Sequence, residues 1–98
     1  MFASVVTGQA RPGQTDAFLR LWREVAVPTV QQLKGFKATY ALADRESGQV
    51  MAITFYETHD DVLAVQTSGQ FQELVAVFVD TLVAGSVVRK IYEVSVPV

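Results

Sequence analysis

Residues 36–56, FKATYALADRESGQVMAITFY, constrain the chain more than any other stretch. Two runs within it, Phe36 to Ala43 and Gln49 to Tyr56, are rich in aromatic and β-branched side chains. Such side chains suit a pleated surface. Between them lies Asp44-Arg45-Glu46-Ser47-Gly48, a short polar loop that ends in glycine. That combination closes a β-hairpin. The hairpin sits at the centre of the chain, with helical segments before and after it.

Upstream, Phe2 to Gln9 is rich in Val and Thr and reads as a first strand, broken by Arg11-Pro12-Gly13. A helix then starts near Gln14 or Thr15, with Asp16 beside its positive end. Phe18, Leu21, Trp22, Val25, Thr29 and Leu33 recur on one side of it, and Arg20, Arg23, Glu24, Gln31 and Lys34 on the other. Pro28 lacks a backbone donor, so a kink is expected there, and Gly35 suits the C-terminal cap. Downstream, Thr58 and Asp61 resemble a capping box with Asp in place of Glu. A short helix is predicted over about His59 to Gln66, a second over about Gln70 to Ala84, and a last strand over Val87 to Val96, broken by Pro97. Phe71, Leu74, Val75, Phe78 and Leu82 form the apolar stripe of the second of these helices.

The order β-α-β-β-α-β over a chain of 98 residues predicts one α+β domain: a ferredoxin-like sandwich with a four-stranded antiparallel sheet and both helices on one face. Right-handed crossovers give strand order 4-1-3-2. Two helices cover only one face of such a sheet. A face in water should alternate apolar with polar. Val50 to Tyr56 instead runs nearly apolar on both faces, and Val88, Tyr92, Val94 and Val96 add to the uncovered side. Half of the residues are hydrophobic and only 18% are charged, with a mean hydropathy of +0.26. Burying each such side chain stabilises by roughly 1.5–3 kcal/mol. The expected cover is a second copy, packed sheet to sheet about a two-fold axis as an obligate homodimer.

A net charge of −2 and the lack of a basic cluster disfavour nucleic acid as a partner. The apolar stretches are far shorter than a membrane span. Disulfide and thiolate chemistry are excluded by the absence of cysteine. The first residues read as a strand rather than a signal peptide, so the expected location is the cytoplasm. One histidine without cysteine offers no transition-metal spacing, and phosphate-binding glycine motifs and a serine elbow are absent.

Five kinds of side chain could carry chemistry. His59 is the one histidine, and imidazole is the residue type suited to general-base work near neutral pH. It is equally readable as a surface residue near a helix cap. Trp22 could wall an aromatic pocket and donate its indole N–H to a ligand oxygen, or simply pack in the core. Tyr40, Tyr56 and Tyr92 lie on three strands, and a buried phenol can hydrogen-bond an oxyanion. Tyr40 and Tyr56 would be neighbours across the hairpin in one register, and a one-residue slip would change their faces. Arg89 and Lys90 could pair with Glu93 or a ligand carboxylate, or lie solvated at a dimer edge.

Several short blocks resemble the antibiotic biosynthesis monooxygenase-like family of the dimeric α+β barrel superfamily. They are Pro12-Gly13 after the first strand, Lys34-Gly35-Phe36, the Glu46-Ser47-Gly48 turn, Phe55-Tyr56-Glu57-Thr58, and Ser68-Gly69-Gln70-Phe71 after the short helix. The resemblance spans essentially the whole chain. It implies one such domain over residues 1–98, a small homodimer, and a pocket between sheet and helices. It also implies that some relatives oxygenate aromatic polyketides or quinols without metal, flavin or nicotinamide, so no cofactor is expected. The family's common histidines fall at Val65 and Gln70 here. The Asn, Trp and His of its haem-degrading branch fall at Val6, Val65 and Val75, which disfavours haem degradation. Two functions remain open. The first is a cofactor-independent monooxygenase of a small phenolic, quinol or anthrone-like substrate, with Trp22, Tyr40 and Tyr56 lining the pocket and His59 a candidate base. The second is a non-catalytic small-molecule-binding or structural homodimer.

Overall fold

A computed structural model describes residues 1–96. The strands are β1 (Phe2–Gln9), β2 (Phe36–Ala43), β3 (Gln49–Tyr56) and β4 (Val88–Glu93). They form one sheet in the order β2-β3-β1-β4, with every neighbouring pair antiparallel. Strand order and the bounds of the hairpin match the sequence reading. The hairpin loop is built by Asp44, whose Oδ1 accepts from the N–H groups of Glu46 and Ser47 at 3.0 and 3.4 Å. These bonds, above all those from Ser47, hold the Asp44 carboxyl below its ordinary value. β4 is shorter than expected, and the predicted break at Pro97 lies outside the described residues.

Register assigns the faces. Ser4 pairs with Thr54 and Ile91, and Val5 pairs with Ile53 and Lys90. Ser4, Val6 and Gly8 therefore share the helix-covered face with Val50, Ala52, Thr54 and Tyr56. On β3 those four are buried, and the residues between them are only partly so. The opposite face carries Val5, Met51, Ile53, Phe55, Tyr40, Leu42, Val88 and Tyr92. Tyr40, Leu42, Val88 and Tyr92 are among the chain's exposed large hydrophobics.

The first helical segment is one continuous rod of three parts: α1 (Thr15–Leu21), a π-helical turn (Trp22–Ala26) and α2 (Val27–Val30). The expected disturbance by Pro28 thus falls one turn upstream. Proline has no N–H, and its ring would press on the carbonyl four residues back. The ladder opens there, so that the Val27 N–H bonds the Trp22 carbonyl, five residues away. The rod ends at Val30 instead of Lys34. The N–H groups of Gln32 and Leu33 bond carbonyls three residues back, tightening the last turn.

The short helix α3 (His59–Thr67) begins where expected. Thr58 Oγ1 accepts from the Asp61 N–H at 3.1 Å, a cap that contributes about 1 kcal/mol. The last helix, α4 (Gln70–Val77), stops well short of Ala84. Val75, Val77, Val79, Thr81 and Val83 alternate along this stretch, a strand period that competes with the helical stripe. After Val77 the backbone turns and joins the end of β1. Arg11 N–H bonds Thr81 O at 2.8 Å, and Val83 N–H bonds Gln9 O at 2.8 Å. Phe78 and Leu82 still reach the core beside Phe18, Ala26 and Val50.

Gly35 joins the first helical rod to β2 at a φ of 78°. A Cβ there would land on the Asp61 carboxylate, which is buried at the start of α3. Gly13 has almost the same φ, 77°, and open space around it. Gly13→Ala should therefore lose only the backbone term, about 1–2 kcal/mol. Gly35→Ala should lose more, because Asp61 must also move. Calorimetric melting of the two variants checks this, and equal losses would mean that Asp61 yields without cost.

Candidate active site

The three parts of the first rod place Trp22 at the opening of its π turn, against the helix-covered face of the sheet. The indole stacks on Phe18, with centroids 6.4 Å apart and planes 21° apart, and lies 5.9 Å from the Phe78 ring. Beside this aromatic cluster is a cavity of about 70 Å³. Its walls come from every layer: Phe18 and Trp22 from the rod, Ser4 and Val6 from β1, Val50, Ala52, Thr54 and Tyr56 from β3, and Phe71, Leu74 and Phe78 from α4 and its end.

One polar atom of these wall residues stands out. The Trp22 indole N–H is buried and has no hydrogen-bond acceptor among the described residues. Such an orphan costs about 1–3 kcal/mol, so a fold that keeps one calls for an explanation. A ligand oxygen in the cavity supplies one. π turns inside helices are also frequent at functional sites.

Tyr56 lies farther along the same wall and is only 2% exposed. Burial pushes its phenol above the ordinary 10.0, with the Arg89 guanidinium opposing the shift. At neutral pH it is therefore a protonated donor and not a base. Two other polar groups of this face have partners. Thr54 Oγ1 lies 2.9 Å from Thr39 Oγ1, and Ser4 Oγ accepts from Arg89 Nε at 3.1 Å.

Arg89 is half-buried on the helix-covered side of β4. Its Nη1 donates to Gln66 Oε1 at 3.0 Å, its Nη2 donates to the Val62 carbonyl at 3.3 Å, and its guanidinium lies 5.0 Å from the centre of the Phe71 ring. Burial lowers its affinity for its proton, and the nearby Tyr56 phenol works the other way. It is not an exposed edge charge, and among the described residues it has no ion pair with Glu93.

The four residues given a pocket or base role from sequence separate into two groups. Trp22 and Tyr56 line the same cavity. Tyr40 pairs with Ile53 and therefore faces the open side of the sheet, 58% exposed, with its ring edge-on to Phe55 at 6.3 Å. His59 is exposed at the first turn of α3 and rests its ring 5.1 Å from that of Phe2. Neither Tyr40 nor His59 lines the cavity. Ser4 and Phe71 were not expected in its wall, nor Arg89 beside it on Ser4. For Arg89 a signal existed, since the alternation that turns Val87 and Ile91 inward turns Arg89 inward too. Among the described residues, His, Cys, Asp and Glu side chains do not gather in threes. No helix of the described residues is long and apolar enough to cross a membrane.

The family model for antibiotic biosynthesis monooxygenase matches residues 1–77. The chain belongs to this family. The match runs from β1 to the end of α4 and so includes Trp22 and Tyr56. Among solved structures, the chain is similar to SnoaB, a cofactor-independent oxygenase from Streptomyces nogalater, in a mutant form. That likeness has a TM-score of 0.77 at 13% identity and covers 98% of this chain and 94% of the other. A protein of unknown function from Nitrosomonas europaea gives 0.77 at 20% identity, over 98% and 90% of the two chains. A Mycobacterium tuberculosis protein gives 0.70 at 13% identity, over 94% and 92%. Identities this low establish the shared ferredoxin-like α+β fold and nothing finer. No curated protein matches the chain.

Proposed function

We propose that this family member is a cofactor-independent monooxygenase acting on a small phenolic, quinol or anthrone-like substrate. The observation that carries the reading is the orphan N–H of Trp22, a residue that lines an aromatic-walled cavity. An apolar site with a preplaced donor favours a ligand oxygen that gains negative charge. Tyr56, kept protonated by burial, supplies a second donor on the same wall. Family membership and the fold shared with SnoaB support oxygen chemistry. In an anthrone-like case a ring CH₂ becomes C=O, one oxygen atom enters the product and the other leaves as water. The substrate supplies all four electrons. Among the described residues the cavity offers no side chain suited to take the substrate's proton, so the substrate must ionise readily on its own. His59, outside the cavity, has no part in this reading.

The cavity's small size and the outward His59 favour the second reading, a non-catalytic binder of the same fold. Oxygen uptake without added cofactor separates the two. With hydroquinones, naphthoquinols and anthrones, uptake should exceed autoxidation and fall sharply in Trp22→Phe. No uptake, and no rise in melting temperature with the same compounds, would favour the binder or structural reading. In either case we infer a homodimer closed through the open sheet face. Val5, Ile53, Phe55, Tyr40 and Tyr92 share that face, and Tyr40 and Tyr92 stand exposed on it, so they offer an apolar surface for the contact.

A further inference from the structure

Arg89 lies in β4, beyond the stretch matched by the family model, and among the described residues it is a cation without an anion. Its three hydrogen-bond partners, Ser4 Oγ, Gln66 Oε1 and the Val62 carbonyl, are all neutral. The two ion pairs among the described residues, Lys37 with Glu57 and Arg45 with Asp16, lie elsewhere. A guanidinium has five N–H groups, and three are engaged, so one remains on each terminal nitrogen. Partial burial of a charge without a counter-ion is unfavourable unless something compensates it. Stacking on Phe71 compensates in part. Gln66, Phe71, Gln72, Arg89 and Ile91 line a groove of about 240 Å³. Phe71 also lines the Trp22 cavity, as does Ser4, which Arg89 holds. Groove and cavity thus share one aromatic wall.

We infer that Arg89 is the anion subsite of the ligand: it takes the carboxylate of a small aromatic acid in the groove between α3, α4 and β4, while the ring passes Phe71 toward Trp22. This rests on the reading that the cavity holds an aromatic ring. It narrows the substrate class to an oxygen-substituted aromatic that also bears a carboxylate. A planar carboxylate matches the fork of a guanidinium and makes charge-assisted bonds with it. The neutral partners orient that fork without quenching its charge.

Titration calorimetry on the full chain at low salt tests the subsite with three probes: 4-hydroxybenzoate, its neutral isostere 4-hydroxybenzamide, and 4-cresol. The acid should bind the unaltered protein about tenfold or more tighter than the amide. Arg89→Met should remove that preference and leave 4-cresol affinity within about twofold, and Arg89→Lys should restore part of it. Equal affinity of acid and amide for the unaltered protein would overturn the subsite, and this comparison needs no variant to fold. If 4-cresol binds and the acid gains nothing, the subsite fails while the cavity reading stands. If the acid is preferred but Trp22→Phe alters the affinity of no probe, the subsite stands and the cavity reading fails. If none of the three binds at millimolar concentration, both fail. Equal loss of all three probes in a folded Arg89→Met would make Arg89 a brace between α3 and the sheet, and would also overturn the proposal.

Discussion

Trp22→Phe should leave the unliganded protein at least as stable as the parent while weakening an oxygen-bearing aromatic ligand by about tenfold or more. The phenyl ring keeps the stack on Phe18 and the contact with Phe78. What it removes is a buried N–H without an acceptor, whose desolvation costs about 1–3 kcal/mol in the empty protein. Trp22→Ala should behave very differently. It empties the centre of the aromatic cluster and should destabilise by about 3–5 kcal/mol. In a domain of this size each kcal/mol lowers the melting temperature by roughly 4–8 °C. Calorimetric melting of both variants, paired with ligand titration, checks the contrast. A Trp22→Phe variant that melts several degrees lower with unchanged affinity would mean that the N–H stabilises the fold and serves no ligand.

The second large effect concerns the other side of the sheet. Ile53 sits at the middle of the open face, paired across the ladders with Val5 and Tyr40. In the proposed homodimer of two 10.8 kDa chains, Ile53→Asp should release single chains. A carboxylate at the centre of a dry sheet-to-sheet contact loses its hydration and finds no partner. Each apolar side chain returned to water adds roughly 1.5–3 kcal/mol to the loss. Sedimentation equilibrium reads the outcome. A parent protein that sediments as one chain at micromolar concentration would refute the homodimer. A variant that still sediments as two chains would move the contact to another surface.

The first three strands were legible because two independent patterns agreed there, whereas β4 ends earlier than its valine run suggests. β-rich runs marked their extent, and Arg11-Pro12-Gly13 and Asp44 to Gly48 marked their ends. The fold followed from element order and handedness. The helices were less legible, and for identifiable reasons. In α4 a valine alternation overlies a helical stripe, and only the backbone pairing of Arg11 and Val83 with Thr81 and Gln9 decides where the helix stops. Pro28 announces a kink, but not that the ladder opens one turn earlier at Trp22. The site was half legible. Trp22 is readable from its place on the apolar stripe, and Tyr56 from its strand. The face of Tyr40 depends on register, which the turn chemistry of Asp44 and Gly48 sets at the level of single bonds. Arg89 was hidden by its charge. A cation suggests solvent, and only strand alternation beside Val87 and Ile91 points it inward.

The most direct test follows the Trp22 indole itself. The chain has one tryptophan, so a ¹⁵N-labelled sample gives one indole N–H resonance. Hydroquinone, titrated in under nitrogen, should move that proton downfield in a saturable way as the N–H acquires an oxygen acceptor. An indole resonance that stays in place to millimolar hydroquinone, whether or not other resonances move, would contradict the assignment of Trp22 as the donor of a ligand site.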